Sequence, residues 1–404
     1  MPAPIRPVPR PEQHGPDVPD HEVPREDLLH PADPPTGRRL DRVEGLVMSP
    51  LRPTTRRPVL VVGALAVLVA VFTWAVGLHP GAAVALGAVT HLVGVYAAYR
   101  VLGGHRVGVN QVMAALVHLA FALALLPLLS ILWTVLTLGS GRGFDLQFLW
   151  QTMNGVTGVH DQAYVEGEAD FVGGAFHAIA GTLVVTGLAT LISVPIGLFT
   201  AIYLVEYGGG NRLSGAIRFF VDVMTGIPSI VAGLFAFALF AQIFGLRDAK
   251  MGLAGAVALS VLMIPTVVRN SEEMLRIVPR ELREASLALG VPQWRTITKV
   301  VLPTAASGLA SGITLAIARV IGETAPLLVA IGYARALNWN PLEGPMNTLA
   351  VYAYFMFTKP LSPAVREPSL ERAWAAALLL VLVVVALNLL ARLIATLFAP
   401  KTGR

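Results

Sequence analysis

Long stretches of this chain carry no charged side chain. Residues 58–99 run for 42 positions without an Asp, Glu, Lys or Arg, whereas a helix that crosses a bilayer needs only about 20 apolar residues. The His79-Pro80-Gly81 segment interrupts this run. Because a backbone in lipid must satisfy its own hydrogen bonds, the run predicts two membrane helices joined by a tight turn.

Six further runs have the same character. Residues 219–246 hold one charged side chain, Asp222, and residues 300–334 hold two, Arg319 and Glu323. The four runs that hold none are residues 107–141, 171–205, 251–268 and 373–391. The chain is 55% hydrophobic and 14% charged, with a mean hydropathy of +0.66, which is far more apolar than a soluble domain. These runs predict an all-α integral membrane protein, a polytopic bundle of about eight transmembrane helices.

Basic residues flank alternate runs, and this pattern orients the chain. Arginine and lysine are in excess in cytoplasmic loops, and with eight spans all the basic flanks fall on one face. These residues are Arg52, Arg56, Arg57, Arg100, Arg106, Arg212, Arg218, Arg269, Arg276, Arg280, Arg283, Arg295 and Lys299. The opposite face receives residues 144–170, with five acidic side chains, and residues 335–371. Both termini are therefore expected in the cytoplasm.

The N-terminal segment differs from the rest of the chain. Residues 1–50 contain 12 prolines and few large apolar side chains, a composition that cannot offset the entropy lost on ordering. We expect a disordered, proline-rich cytoplasmic tail at 1–57, two additional membrane helices at 58–106 and the main bundle at 107–404. The basic flanks explain the net charge of +5, so no nucleic-acid partner is expected. Without cysteine the chain has no thiolate metal site.

One polar segment, residues 280–303, separates two apolar runs. Leucine and alanine recur at helical spacing opposite Glu281, Arg283 and Glu284, which predicts a short amphipathic helix. Gly290, with a proline two positions later, predicts where that helix ends, because glycine accepts the left-handed conformation past a helix. A second helix is predicted to lead into the next apolar run. On periodicity alone, an ordinary solvated loop helix is the first interpretation.

The spacing within this segment resembles the EAA loop of ABC-importer permeases. The pattern is Glu284-Ala285-Ser286, three residues, Gly290, nine residues, Val300, one residue, then Leu302-Pro303. Serine replaces the family's second alanine, and valine replaces its isoleucine. The resemblance implies a coupling helix that docks on a separate, dimeric ATP-binding subunit. Because this chain has no Gly-Lys-Ser/Thr phosphate loop, ATP and Mg²⁺ are expected on that partner, and no cofactor or metal in this chain.

Other segments are similar to phosphate ABC-importer permeases of the PstA type. They are Gly181-Thr182, Pro195-Ile196-Gly197, the AIYLVEY segment at 201–207, the GIPSIVAG segment at 226–233 and the GETAP segment at 322–326. The similarity extends roughly from residue 110 to the C-terminus. It implies a six-helix permease core, a homologous second permease of the PstC type and an extracytoplasmic phosphate-binding protein. It also implies a multi-pass location in the lipid of a bacterial plasma membrane.

Arg319 and Glu323 lie inside a predicted span. A charge at the bilayer centre costs on the order of 2.5–3.5 kcal/mol, and residues four apart share a helix face, so the two are predicted to pair. One interpretation is a neutralising pair that pins two helices together. The other is that Arg319 offers a fixed cation to a passing anion, with Glu323 tuning it and Thr324 beside them in the substrate path. Pro326 is expected to soften this helix.

Other residues carry separate predictions. Glu206, at a helix end that the helix dipole disfavours for a carboxylate, is expected to meet Arg212, Arg218 or a residue of another subunit. Arg269 is expected to reach the lipid headgroups. Five prolines are expected to kink continuous spans: Pro127, Pro195, Pro228, Pro265 and Pro326.

The resulting prediction is the permease subunit of an ATP-driven importer of inorganic phosphate, with no covalent chemistry of its own. Three alternatives stay open. The first is a permease for another oxyanion, sulfate or molybdate. The second is a secondary transporter, driven by an ion gradient, in which Arg319 and Glu323 are a coupling pair. The third is a membrane scaffold or sensor that depends on the N-terminal tail.

Overall fold

The structure is a computed structural model that describes residues 57–398, and this range is helical with no strand. Its α-helices are α1 (Arg57–Ala75), α2 (Pro80–Gly103), α3 (His105–Gly143), α4 (Leu146–Trp150), α5 (Gly158–Val165), α6 (Phe176–Ile202), α7 (Arg212–Thr225), α8 (Ser229–Phe244), α9 (Gly252–Ile277), α10 (Arg280–Ala288), α11 (Gln293–Thr296), α12 (Leu302–Ile321), α13 (Ala325–Ala330), α14 (Leu349–Thr358) and α15 (Glu367–Phe398). Two π-helical turns, Tyr203–Tyr207 and Ile297–Val301, follow α6 and α11. The predicted disordered tail lies outside the described residues, apart from Arg57.

The first two helices form the hairpin predicted from the uncharged run. His79 is the N-cap of α2 and accepts a hydrogen bond from the Gly81 amide. Pro80 takes the first helical position, where its missing N–H leaves no hydrogen bond unmade. At the seam, a Cβ on Gly87 would lie 3.0 Å from the Ala66 carbonyl oxygen. Most large side chains of the hairpin are exposed, as in helices that face lipid.

The described residues divide into two compact units, with the boundary between Ala120 and Phe121, inside the range of α3. With 39 residues, α3 is roughly 58 Å long at 1.5 Å per residue. The hydrocarbon core of a bilayer is only about 30 Å thick. α3 is therefore long enough to cross it and to extend beyond it.

In the second unit, α9 is the central helix. α6 packs along it, and a Cβ on Gly197 would lie 2.6 Å from the Val267 side chain. α12 packs against α9 and α15, α13 against α8 and α9, and α14 against α6 and α15. Buried small residues of α9, such as Ala254, Ala256 and Ala258, let neighbouring backbones approach closely, as in many membrane bundles.

Loop contacts define one end of the second unit, which we name the acidic end. The Met153 amide donates to the Arg335 carbonyl, and the Arg335 guanidinium donates to the Val156 carbonyl. These bonds join residues 144–170, with their five acidic side chains, to residues 335–371. The starts of α6, α9 and α15 are hydrogen-bonded to these same loops.

The opposite end, named the basic end, gathers the arginine-rich segments. Glu206, just beyond α6, pairs with Arg283 of α10, and Glu272, near the end of α9, pairs with Arg218 of α7. The loops of the second unit therefore fall into the two groups that the charge pattern predicted.

Within the described residues, seven helices are long and apolar enough to cross a membrane, and the number is eight if the bent pair of α7 and α8 counts as one span. α6 finishes at the basic end and α9 starts at the acidic end, so α7 and α8 together connect the two ends. The prediction of about eight transmembrane helices is confirmed. The fifth predicted span is nevertheless bent, by 106°, because α7 stops at Gly226 and Pro228 caps a new helix.

The span predicted at 300–334 is also not one helix. α12 ends with Gly322 as its C-cap, and Pro326 lies in the first turn of α13. Proline is favoured in a first turn because the missing N–H would have no helical partner there. The expectation that Pro228 and Pro326 kink continuous spans is therefore wrong. The other prolines named above do lie inside helices: Pro127, Pro195 and Pro265.

α14 was not predicted from the sequence. Its ten residues are too few to cross a membrane, yet Leu349, Val351 and Tyr352 are fully buried where it packs between α6 and α15. The signal that could have indicated it is the uncharged stretch 344–358 inside a segment that we took for an extramembrane loop.

A buried ion pair fastens the acidic end to α15. Arg372 donates to both carboxylate oxygens of Asp161, at 2.7 and 3.1 Å, and also to the Val172 carbonyl. The Ser369 hydroxyl donates to the same carboxylate, and the Phe171 ring lies 4.6 Å from the guanidinium carbon. The Arg372 and Asp161 side chains are 1% and 0% exposed. Charges buried this deeply are tolerated because they are paired and hydrogen-bonded through Nη1 and Nη2 of Arg372, although its Nε has no partner.

We expect Arg372→Ala to destabilise the protein by about 3–5 kcal/mol, because it leaves the Asp161 carboxylate buried without a cation. Arg366→Ala is the matched control, since Arg366 is exposed only six positions earlier, and its effect should stay within about 0.5 kcal/mol. Thermal unfolding of the detergent-solubilised protein measures both. Equal melting temperatures for the two variants would contradict this account of the ion pair.

Candidate functional site

Arg319 lies in the last turn of α12, and its side chain is exposed in this chain. Its Nη1 is 3.5 Å from Oγ1 of Thr266 on α9, longer than a typical hydrogen bond. Thr266 is fourteen residues after Gly252 and eleven before Ile277, the two ends of α9. Arg319 is therefore near the middle of the bundle, the depth that the sequence predicted for it.

The predicted pairing of Arg319 with Glu323 is wrong. Because α12 stops at Ile321, Glu323 is not on the helix face of Arg319, and no ion pair joins the two in the region that the structure describes. Glu323 and Thr324 are half-buried in the turn between α12 and α13. The interpretation of a neutralising pair that pins two helices loses its geometric basis.

An exposed polar stripe continues from Arg319 along α12 toward the basic end. Thr304, Ser307 and Ser311 lie at three- to four-residue spacing below the exposed Leu315. The other side of the helix is buried against α9 and α15. A polar face that ends in a charge needs water or another chain against it at membrane depth. This stripe is therefore a candidate lining for a path or for a subunit interface.

Two of the family-like segments meet beside this site. Gly233 of α8 packs on Pro326 so closely that a Cβ there would lie 2.6 Å from the Pro326 Cα. The contact holds the start of α13, and with it the turn that carries Glu323 and Thr324.

A third family-like segment, Gly181-Thr182, holds the loop that precedes α14. Gly181 abuts the Asn347 carbonyl oxygen with no room for a Cβ. Thr182 Oγ1 accepts a hydrogen bond from the Leu349 amide at 2.8 Å. One turn earlier, the buried His177 ring packs edge-on against Tyr352. These contacts make α6 and α14 one packed layer at the acidic end.

We expect Gly181→Ala to destabilise the protein by about 1–3 kcal/mol, because the added methyl must displace the backbone at Asn347. Gly187→Ala is the matched control on the same helix, since a Cβ on Gly187 meets nothing within 4 Å. That variant should be neutral or stabilising by up to about 1 kcal/mol through helix propensity. Melting temperatures decide between them, and a Gly181→Ala protein as stable as wild type would show that the close contact is not tight in solution.

The predicted coupling segment is a helical hairpin at the basic end. Its first leg, α10, contains Glu284-Ala285-Ser286 and ends in a Schellman motif. The Gly290 amide donates to the Leu287 carbonyl, and the Val291 amide donates to the Ser286 carbonyl. Gly290 has φ +76°, the left-handed region that favours glycine. The predicted end of the helix at Gly290 is confirmed.

The second leg leads from α11 through the π-helical turn into α12. The Ser286 and Thr296 hydroxyl oxygens are 2.9 Å apart and link the two legs. Leu302 packs into a cluster with Val301 and Leu275, whereas Pro303 is exposed in the first turn of α12. The Leu-Pro ending of the motif therefore marks where this leg enters the bundle.

The outer surface of α10 carries exposed leucines among charged side chains. None of its residues is buried, and Leu282, Leu287 and Leu289 are 42%, 48% and 84% exposed. Trp294 of the second leg is 57% exposed. Exposed large apolar side chains that cluster on one short hairpin are typical of a surface that meets a partner.

Arg283 is the charged residue of α10 that faces the bundle, whereas Arg280, Glu281 and Glu284 are exposed. Its guanidinium donates to the Glu206 carboxylate, with Nη2–Oε1 at 2.8 Å and Nε–Oε1 at 3.0 Å. It also donates to the Leu275 and Val278 carbonyls at the end of α9. The expectation that Glu206 meets Arg212 or Arg218 is wrong. Its unfavourable place at a helix end did indicate a partner, but that partner lies 77 residues away in the sequence.

Arg269 donates to Asp222 at 2.6 Å, and because both side chains are exposed, the expected contact of Arg269 with headgroups stays a prediction. Close by, Glu272 accepts from Arg218 and Arg276, at 3.0 and 2.6 Å. These side chains line an open cavity of about 370 Å³ at the basic end. Charge there is balanced pair by pair, in contrast to the surroundings of the mid-bundle arginine.

Several known proteins are similar to this chain. The family described as "Binding-protein-dependent transport system inner membrane component" matches residues 193–404. The phosphate transport system permease protein PstA 1 of Mycobacterium tuberculosis (strain ATCC 25618 / H37Rv) is 44% identical over 285 residues, which are 70% of this chain and 87% of that protein. The PstA permease of Mycobacterium leprae is 42% identical over 282 residues, 69% of this chain and 86% of that protein.

A more divergent relative is similar over nearly its whole length. The phosphate transport system permease protein PstA of Pasteurella multocida is 36% identical over 297 residues, 73% of this chain and 96% of that protein. Among solved structures, an inward-facing MetNI methionine ABC transporter aligns with a TM-score of 0.44 and 21% identity, over 56% of this chain and 94% of that one.

Proposed function

Since this chain belongs to the family of binding-protein-dependent transport system inner membrane components, we propose that it is a PstA-type permease subunit of an ATP-driven importer of inorganic phosphate. The chain is a multi-pass membrane protein and a transport component. Relatives named for phosphate transport, at 36–44% identity, favour phosphate over sulfate or molybdate. The observation that carries the proposal is the exposed guanidinium of Arg319 at mid-bundle depth.

Arg319 suits the passage of an oxyanion. A guanidinium cannot be deprotonated in a protein, and its planar array of donors matches the oxygens of a phosphate. Taking an anion out of water is costly unless a cation or donors replace its hydration. Arg319 has no carboxylate partner in the described region, so its charge is available to a passing ion. Glu323, in the adjacent turn, would keep that ion from being held too tightly.

The path requires a second chain. Arg319 is exposed in this chain, and a charge at membrane depth cannot face lipid. A homologous permease of the PstC type would cover it, so that phosphate passes along the interface between the two subunits. Hydroxyl groups of Thr304, Ser307 and Ser311 would then line the route toward the basic end.

Arg319→Ala should abolish phosphate uptake while the protein still inserts, because the variant removes the cation without opening a buried core position. Arg319→Lys keeps the charge but loses the bidentate geometry, and we expect it to retain partial uptake. Labelled phosphate uptake by cells, normalised to the amount of protein in the membrane, is the measurement.

Arg212→Ala is the control for that series, because it removes an exposed arginine at the start of α7, outside the stripe. It should leave uptake within about twofold of wild type, as is usual for an exposed surface position. If the Arg319→Ala protein transported phosphate at the rate of wild type, Arg319 would be a packing residue and the proposed path would be wrong.

The hairpin at the basic end would couple this path to ATP. ATP and Mg²⁺ would be held by a dimeric ATP-binding subunit that grips the exposed leucines of α10, and nucleotide-driven closure would move α10. In this arrangement the basic end and both termini are cytoplasmic. An extracytoplasmic phosphate-binding protein would dock at the acidic end, outside a bacterial plasma membrane. The helices within 58–106 would be accessory to the core at 107–404.

Leu289→Asp should remove the ATP-binding subunit from the purified complex, since it places a charge on the most exposed apolar side chain of the hairpin, 84% accessible. Val159→Asp is the matched control, because Val159 is 74% exposed but lies in α5 at the acidic end. Affinity purification from membranes, with identification of what accompanies each variant, compares them. Loss of the ATP-binding subunit from both variants, or from neither, would contradict docking at α10.

The remaining alternatives give different outcomes. Sulfate or molybdate would compete with labelled phosphate if the substrate were another oxyanion. A secondary transporter would work in vesicles without ATP, as long as an ion gradient is present. A scaffold or sensor would lose its function on deletion of residues 1–57, whereas a phosphate permease should still transport.

A further inference from the structure

The link between α10 and the rest of the bundle is polar. α10 contributes no buried residue to the described core. Arg283, in contrast, is only 17% exposed, and its partner Glu206 is 7% exposed. Because little apolar contact holds α10 in place, its position depends on hydrogen bonds such as these.

Arg283 joins three helices at one point. It lies on α10, its carboxylate partner Glu206 follows α6, and its two carbonyl partners, Leu275 and Val278, are at the end of α9. The last carbonyls of a helix have no partner within it, and a cation near them is stabilising. The second leg is fixed at the same place, since the Gln293 side chain donates to the Glu206 carbonyl at 2.6 Å.

α6 and α9, which meet at this point, pack against each other. Ala201 of α6 lies in a buried cluster with Leu275 and Val278, and the glycine seam at Gly197 holds the same helices together farther along. A displacement applied to α10 would therefore reach α6 and α9 together, provided that the polar link holds.

We propose that Arg283 and Glu206 form the joint through which movement of α10 is transmitted to α6 and α9. The pair positions α10 and touches neither nucleotide nor phosphate. This inference rests on the proposed function, because it assumes that a nucleotide-driven partner moves α10. Each of the three guanidinium nitrogens already donates to Glu206 or to an α9 carbonyl.

The test uses the complete complex, purified with its ATP-binding subunit and placed in phospholipid vesicles with the phosphate-binding protein. Arg283→Gln and Glu206→Gln should still purify with that subunit and hydrolyse ATP. The phosphate moved per ATP hydrolysed should fall roughly tenfold or more, the scale expected for loss of a charged hydrogen bond. Arg276→Gln is the matched control: its partner Glu272 is four residues away on the same helix, so the ratio should stay at the wild-type value.

Hydrogen exchange gives a readout that does not depend on the substrate. In Arg283→Gln, amides of residues 280–289 should exchange roughly tenfold faster than in wild type, while α6 and α9 stay protected. If the wild-type complex moved no phosphate, the proposed function would fail, and the joint would be judged on this exchange alone. Unchanged exchange, or an unchanged ratio of phosphate to ATP in an active complex, overturns the joint.

Two further variants separate a three-helix joint from a simple ion pair. Arg283→Lys keeps the charge but cannot reach the carboxylate and both carbonyls together, so partial recovery is expected. The double variant Glu206→Arg with Arg283→Glu restores a pair of opposite charges, yet a carboxylate at position 283 cannot donate to the α9 carbonyls. It should remain uncoupled. Full recovery in the double variant would show that the carbonyl contacts are irrelevant and would overturn the joint.

Discussion

A charge in this bundle must have a partner or water, because lipid provides neither. The structure meets this constraint differently at three levels. At the acidic end, Asp161 and Arg372 form a fully buried pair, and at the basic end Glu206 is held by Arg283. Between them, Arg319 is exposed and, among the described residues, lies without a carboxylate. The pairs at the ends join helices and loops, whereas the unmatched cation between them is where we propose that an anion passes.

Close backbone approach is the second requirement, since apolar side chains gain little by leaving lipid for a protein interior. Helices in this chain meet at glycines, Gly181 against the loop before α14, Gly197 against α9 and Gly233 against Pro326. Each of these glycines belongs to a segment that resembles phosphate-importer permeases. The residues shared with that family therefore include those that determine helix packing as well as those proposed to line the path.

The number of crossings could be predicted from the sequence because each apolar run is long enough to form a membrane helix. The breaks could not, since a proline in a first turn and a proline inside a helix look alike until packing is known. That ambiguity also produced the wrong pairing of Arg319 with Glu323, which assumed one continuous helix. Fixed spacing located the coupling hairpin from Glu284 to Pro303. The partner of Glu206 could not be predicted from the sequence, because Arg283 is 77 positions away and the contact depends on how three helices converge.

The bend between α7 and α8 affects how much of this chain must be covered in a membrane. The two arms have 14 and 16 residues, roughly 21 and 24 Å, so neither crosses a 30 Å bilayer by itself. If the two arms form one crossing, the irregular backbone at 226–228 lies at membrane depth, where Gly226 and Pro228 are exposed in this chain. Such backbone persists in a bilayer only under a cover of protein or water. The bend would therefore be a second place, besides the exposed face of α12, where the proposed partner chain covers this one.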